Sequence, residues 1–365
     1  MERRDFLRLT GIASATLAAP AATRVLAAES GDAPWRTFEV TTRVEILDPK
    51  GATRVWVPVP LLEERPFLKP LGNSFEAVGG NTRFAVDPHY TAGMVCGEWP
   101  DGAKAVLELK SRFATRDAKV DLSQPFNPIP ESPVLLARYT QSTPHMPTGG
   151  PVLELSSTIV KDAGAKEDVE KARAIYEWIV ENTWRDPKTK GCGAGDIDFM
   201  VENKAWGGKC ADLNALFTTL ARSQGIPARD VYGIRVADSK LGYKSLGKSG
   251  DITKAQHCRA EFYSKAHGWV PVDPADVRKV ILEEQGGKAI DDPMTVAARK
   301  RLFGSWEMNW LGYNYANDVA LPGSTRGKVP FLMYPQSETA EGRLDPLDPD
   351  HFKYTITSKE IVLAA

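Results

Sequence analysis

The stretch Gly207-Gly208-Lys209-Cys210-Ala211-Asp212-Leu213-Asn214-Ala215-Leu216-Phe217 decides how the rest of the chain reads. Leu213, Leu216, Phe217 and Leu220 fall at i, i+3, i+4 and i+7, the spacing of one apolar helix face. Gly225, with Pro227 two residues on, predicts where that helix stops. Cys210 therefore stands at a helix start, and the two glycines before it let the backbone turn tightly. A helix N-terminus favours negative charge and lowers a thiol pKa, so the position suits a nucleophilic thiolate.

Two later segments supply partners: Gln256-His257-Cys258-Arg259-Ala260-Glu261-Phe262-Tyr263, and Gly268-Trp269-Val270-Pro271-Val272-Asp273-Pro274. Both read as strands, joined as a hairpin. Side chains alternate along a strand, so Cys258, Ala260 and Phe262 form an apolar face and His257 shares the other with Arg259 and Glu261. A three- or five-residue loop drawn from Ser264–Gly268 is expected to set His257 directly across from Asp273. The carboxylate would then fix the imidazole tautomer and stabilise its charged form. Each residue alone would fit a structural role equally well; the order and parity point to a Cys210-His257-Asp273 triad.

The remaining cysteines carry less. Cys258 reads as a core thiol. Cys192, in Gly191-Cys192-Gly193, could approach the triad or pair with Cys96. A zinc site from Cys192, Cys210, Cys258 and His257 can be drawn, but parity opposes it, because His257 and Cys258 point apart. No metal and no cofactor is expected. Acyl transfer also needs an oxyanion hole. The Cys210 backbone N–H is the natural first donor, and Trp206 and Asn203 are candidates for the second, with loop packing as the alternative. His267 reads as an exposed turn residue.

Period-two alternation recurs over residues 36–122: Phe38, Val40, Val44 and Ile46, then Val55, Val57 and Val59, then Ala105, Leu107, Leu109 and Phe113. An antiparallel β-sandwich over 31–123 follows. Seven prolines between Pro125 and Pro151 make 124–151 a Pro-rich connection. Residues 152–290 mix helices and strands and form the core that carries the triad, making the chain α+β. Residues 291–365 read as a C-terminal extension packing on that core, with Trp306, Trp310, Tyr313 and Tyr315 as packing residues or as a wall of the cleft.

The first 28 residues read as a twin-arginine signal peptide: Arg3-Arg4, a mildly apolar run from Leu9 to Ala22, and small residues at Val25-Leu26-Ala27. Their weak hydrophobicity fits export rather than a stable membrane anchor. The expected address is the periplasm, and the export machinery is a partner of the precursor. A formal net charge of -1 over 365 residues argues against a nucleic-acid partner. Four cysteines in such a length are not a disulfide framework.

At these residues the chain resembles the transglutaminase-like superfamily, in particular its secreted bacterial members. The resemblance rests on Gly208-Lys209-Cys210 with its helix, Gly225-Ile226-Pro227-Ala228-Arg229, the His257 strand with Glu261 and Tyr263, and Gly268–Pro274. It covers about 150–290 and implies a papain-like α+β core, with Cys210 as nucleophile, His257 as acid/base and Asp273 as orienter. An N-terminal β domain suits such proteins. Arg259 replaces the aromatic residue often found two places after the histidine. It could grip a substrate carboxylate or serve as a surface ion-pair partner. The implied activity is thiol-dependent acyl transfer on amides. Water as acceptor gives a peptidase or amidase; an amine gives cross-linking. Peptide or protein substrates follow, with cell-wall peptides suggested by the address alone. The alternative is a non-catalytic binding or assembly module on the same fold.

Overall fold

The computed structural model describes residues 33–361, so the signal peptide read over 1–28 lies outside the described residues. The alternating segments form two five-stranded antiparallel sheets. One runs Gly250–Asp251, Phe352–Ile361, Arg36–Ile46, Val106–Thr115 and Leu68–Val78 in spatial order. The other runs Arg343–Leu344, Gln336–Glu338, Thr53–Pro58, Gly93–Trp99 and Asn81–Val86. Val44, Ile46, Leu107 and Leu109 of the first sheet meet Val55, Val57 and Val95 of the second in one apolar cluster. The period of two thus buries one face of each sheet against the other.

The C-terminal region does more than pack on the core. Phe352–Ile361 pairs along Arg36–Ile46, from Thr37 opposite Ile361 to Ile46 opposite Phe352, and closes a sheet edge that would otherwise be open. Gln336–Glu338 adds to Thr53–Pro58 in the other sheet. Trp310–Asn314 joins the core sheet beside Ala228–Arg235.

That core sheet has four antiparallel strands in the order Gly268–Val272, Gln256–Ser264, Ala228–Arg235 and Trp310–Asn314. The helix Cys210–Ser223 lies against it, with Phe217 and Phe262 rings 6.2 Å apart. Twelve of its residues, Cys210 to Leu213 less Asp212 and then Asn214 to Arg222, are buried. The helices Gly150–Asp162 and Asp168–Asn182 cover its outer side, so it is enclosed nearly all round, as its apolar content requires. It ends where expected, with Gly225 in the left-handed region at φ 76°. Part of the Pro-rich connection is ordered on the core: Tyr139 is buried, its ring edge-on to Trp269, and the backbone N–H groups of Phe126 and Asn127 donate to the Ala266 carbonyl. No helix among the described residues is long and apolar enough to cross a membrane.

Candidate active site

Cys210 is the first residue of its helix, and its own backbone N–H has no acceptor among the described residues. Asp212, two residues in, organises the surroundings. One carboxylate oxygen accepts the Lys209 N–H at 2.9 Å, and the other accepts Ala194 N–H and Gly195 N–H at 3.0 Å each. Gly193 lies at φ 100°, and a Cβ there would overlap the Asp212 carboxylate. Only glycine lets this loop close around the helix start. The Ala211 N–H then donates to the Cys192 carbonyl at 2.9 Å, and the Cys192 thiol donates to the Gln256 carbonyl at 3.3 Å. Cys192 thus approaches the triad residues and does not pair with Cys96, which belongs to a different apolar cluster; all four cysteines are free.

The hairpin loop is the three residues Lys265–Ala266–His267, but the register differs from expectation. Ser264 opposes Gly268 and Glu261 opposes Pro271, which continues to Arg259 opposite Asp273. Asp273 is therefore diagonal to His257. Parity survives this two-residue offset, and diagonal neighbours on one face remain within reach of long side chains. His257 Nε2 lies 2.7 Å from Asp273 Oδ2, with both side chains buried. That bond leaves Nδ1 available to the sulfur. Asp273 also caps the helix Pro274–Glu283, accepting the Asp276 N–H at 3.0 Å, and takes the Asn214 amide at 3.2 Å. Asn214, one turn after Cys210, donates to the Cys258 carbonyl as well, at 2.8 Å. It bridges helix, strand and carboxylate.

Strand Gly268–Val272 stops opposite Ala260, so the edge of the His257 strand is open beside the start of the Cys210 helix. His257 and Cys258, though on opposite faces of the strand, both bear on the Cys210 sulfur. No group makes a hydrogen bond of ordinary distance and angle to that sulfur among the described residues. Its surroundings nevertheless bias it: the thiols of Cys192 and Cys258, and then the His257 imidazole, outweigh burial and hold Cys210 well below its ordinary range. The neighbouring thiols are pushed well up, Cys192 by Cys210 and burial and Cys258 by burial and Cys210. Burial and Arg235 press His257 down, but Asp276 and Asp273 together outweigh them and raise it. Apo sites are often this loose and tighten only around a reacting group.

A second carboxylate belongs to this layer. Asp276 Oδ1 lies 3.4 Å from His257 Nε2 and 2.5 Å from an Arg235 nitrogen, all three side chains buried. Arg259 Nε is 3.6 Å from Asp273. Burial pushes the Asp276 carboxyl up, yet Arg235, His257 and Arg259 hold it well below the usual carboxylate range. Burial and Asp276 raise Asp273 in turn. His257, Asp273 and Asp276 are the one group of His, Cys, Asp or Glu among the described residues whose ligand atoms converge as a metal would need. Two guanidinium groups already compensate these carboxylates, so a cation there would displace or repel them. The zinc set with three cysteines does not converge.

Several expectations change. Arg259 is 2% exposed and lies beneath His257 and Asp273, its guanidinium over the Trp310 and Trp306 rings and donating to the Glu307 carbonyl. It is neither a surface partner nor open to a substrate carboxylate, because its position opposite Asp273 turns it inward. His267 is buried rather than exposed, since the Phe126–Pro128 segment covers the hairpin turn. Trp306 and Trp310 are core residues: the Trp310 indole donates to the His257 carbonyl at 2.8 Å and fixes that strand from behind. Gly233, the register partner of His257, leaves room for the Trp310 ring.

Asn203 is exposed, and its amide donates to Phe199 in its own helix. Trp206 stacks edge-on against Trp178, with ring centroids 5.3 Å apart. The indole missed by sequence reasoning is Trp184. Trp184 and Arg185 pair with Gly207 and Gly208 just before Cys210. The Trp184 Nε1 lies 2.5 Å from where a Gly207 Cβ would stand, and half the residue is exposed. Its indole N–H donates to no described residue, while its backbone N–H donates to the Trp206 carbonyl at 3.2 Å. Gly207 was the available signal, since Trp184 takes the space its missing Cβ leaves; at Gly208 the Asp212 side chain does so.

Residues 156–274 match the transglutaminase-like superfamily. An uncharacterized protein of Haemophilus influenzae is 35% identical over 344 residues, covering 89% of this chain and 91% of that one. The chain belongs to one family with that protein, and its core has the transglutaminase-like fold. The crystal structure of a candidate cysteine protease from Cytophaga hutchinsonii superimposes over 91% of this chain and 93% of its own, with a TM-score of 0.54 and 14% identity, a likeness of fold. The periplasmic domain of TgpA from Pseudomonas aeruginosa is less similar, with a TM-score of 0.31, 15% identity and coverage of 66% of this chain and 89% of that domain.

Proposed function

We propose that this protein is a thiol-dependent acyl-transfer enzyme acting on amides, with Cys210 as nucleophile, His257 as acid/base and Asp273 as the residue that orients the imidazole. The observation that carries the reading is the buried His257–Asp273 bond of 2.7 Å beside a cysteine at a helix N-terminus. Thiolate attack on a carbonyl places negative charge on its oxygen. The unpaired Cys210 N–H is positioned to receive it, and the Trp184 indole is a candidate second donor. His257 then protonates the leaving amine, and an acyl-enzyme remains for water or an amine to resolve. The charge layer formed by Asp273, Asp276, Arg235 and Arg259 keeps the imidazolium state accessible.

The reading extends to peptide or protein substrates and to a periplasmic address, the latter supported by the Arg3-Arg4 leader. Cell-wall peptides fit that address. The test is the pH dependence of iodoacetamide labelling of the mature protein beside His257→Ala. Labelling of Cys210 below pH 7 that slows in the variant supports the reading. Labelling confined to alkaline pH, unchanged by the substitution, would leave a non-catalytic binding module. Incorporation of a labelled amine would then separate transferase from hydrolase.

A further inference from the structure

We propose that Cys192 is a resolving thiol: when a peroxide oxidises Cys210, Cys192 captures it as a reversible Cys192–Cys210 disulfide. The proposal rests on the thiolate reading of Cys210 and adds a second chemistry to the same sulfur.

The geometry is built rather than incidental. The loop holding Cys192 is fastened to the start of the Cys210 helix by two backbone hydrogen bonds, from Ala194 and Gly195 to the Asp212 carboxylate. The Ala211–Cys192 backbone bond sets residue 192 beside residues 210 and 211. The bond sets Cys192 against the helix turn that Cys210 opens; a disulfide there needs the two Cα atoms within roughly 4.4–6.8 Å. The Cys192 thiol is turned inward, onto the carbonyl of the residue preceding His257. It shares an apolar cluster with Cys210 and Cys258. Cys258 is the other neighbour, but it is fully buried in the middle of the core sheet. Cys192 sits in a loop outside the core sheet, flanked by Gly191 and Gly193, both at positive φ.

The chemistry balances with a hydroperoxide as oxidant. The Cys210 thiolate attacks one peroxide oxygen, the O–O bond breaks, hydroxide leaves, and the sulfur becomes a sulfenic acid. The Cys192 sulfur then attacks the sulfenic sulfur. The S–S bond forms, the S–O bond breaks, and water leaves with the thiol proton. Further oxidation of Cys210 to the irreversible sulfinic acid is thereby pre-empted. A dithiol restores both thiols by exchange.

The experiment treats the mature protein with hydrogen peroxide, quenches it, and maps thiols by mass spectrometry without reduction. The expected result is a 192–210 cross-linked peptide, loss of Cys210 labelling by iodoacetamide, and recovery of labelling with dithiothreitol. Cys192→Ser should lose that recovery and accumulate sulfinic acid at Cys210, while Cys258→Ser, whatever its rate of oxidation, should still form the 192–210 link and recover with dithiothreitol. A Cys210–Cys258 link, or sulfinic acid forming in wild type as fast as in Cys192→Ser, overturns the proposal. The wild-type map alone decides it should Cys192→Ser fold poorly. The labelling profile of the reduced protein against pH, taken first, reports separately on the thiolate reading.

Discussion

Replacing Asp276 by Asn tests the buried charge layer directly. The Asp276–Arg235 contact is 2.5 Å with side chains 2% and 3% exposed. Removing one partner strands a guanidinium in the interior, which costs about 3–5 kcal/mol. With an m-value of roughly 3 kcal/mol/M in urea for a chain of this size, the midpoint should fall by about 1–1.7 M. The second arm is Arg235→Met with Asp276→Asn, which removes both charges. The Leu246 carbonyl that Arg235 also binds keeps the Asn309 amide as donor, so the double variant leaves that acceptor satisfied. It should therefore recover more than half of the loss. The sign of the pH dependence follows from the depressed carboxyl of Asp276. Its contribution is fully present above the unfolded carboxylate value near ~4 and fades as pH falls through the folded value. The gap between wild type and Asp276→Asn should narrow accordingly in acid. An unchanged midpoint for the single variant, or additive losses in the double, would refute this account of the layer.

Three further outcomes are expected. Trp184→Phe keeps the ring but removes the indole N–H; acylation by an activated ester should slow by roughly 10²-fold, with iodoacetamide alkylation, which builds no oxyanion, unaffected. Gly193→Ala forces a side chain onto the Asp212 carboxylate, so thermal denaturation should begin earlier and Cys210 alkylation should slow together with it. Asp230, raised by burial to about 6, is favoured protonated when folded, so its contribution to stability declines as pH rises from ~4 to 6. Asp230→Asn should be more stable than wild type at pH 7, by about 1–3 kcal/mol, with the gain gone at pH 4 in urea melts.

The sequence made the local pieces visible because local rules determine them. Leu213, Leu216, Phe217 and Leu220 specify a helix face whatever surrounds them, and Gly225 ends it. Parity put His257 and Asp273 on one face even though the register came out two residues away. What parity could not supply was the end of strand Gly268–Val272 and the influence of Cys258 on Cys210 from the opposite face. The burial of Arg259 was hidden for a related reason: its partners Asp273, Trp306 and Trp310 come from segments up to about fifty residues away. The capture of Cys192 by Asp212 depends on backbone N–H groups, which have no sequence signature. The pairing of Phe352–Ile361 with Arg36–Ile46 was equally out of view, because alternation marks a strand and not its neighbour.

That last pairing has a consequence for synthesis. Residues 36–46 leave the ribosome more than three hundred residues before 352–361, their register partners. At about 5–20 residues per second the wait is roughly 15–60 s. Over that interval the Arg36–Ile46 strand can bind Val106–Thr115 on one side, while its other side offers free N–H and C=O groups to any passing β segment. The nascent chain therefore carries a sticky seam that only its own last strand can close, and chaperone dependence during translation should track that seam more than the core sheet.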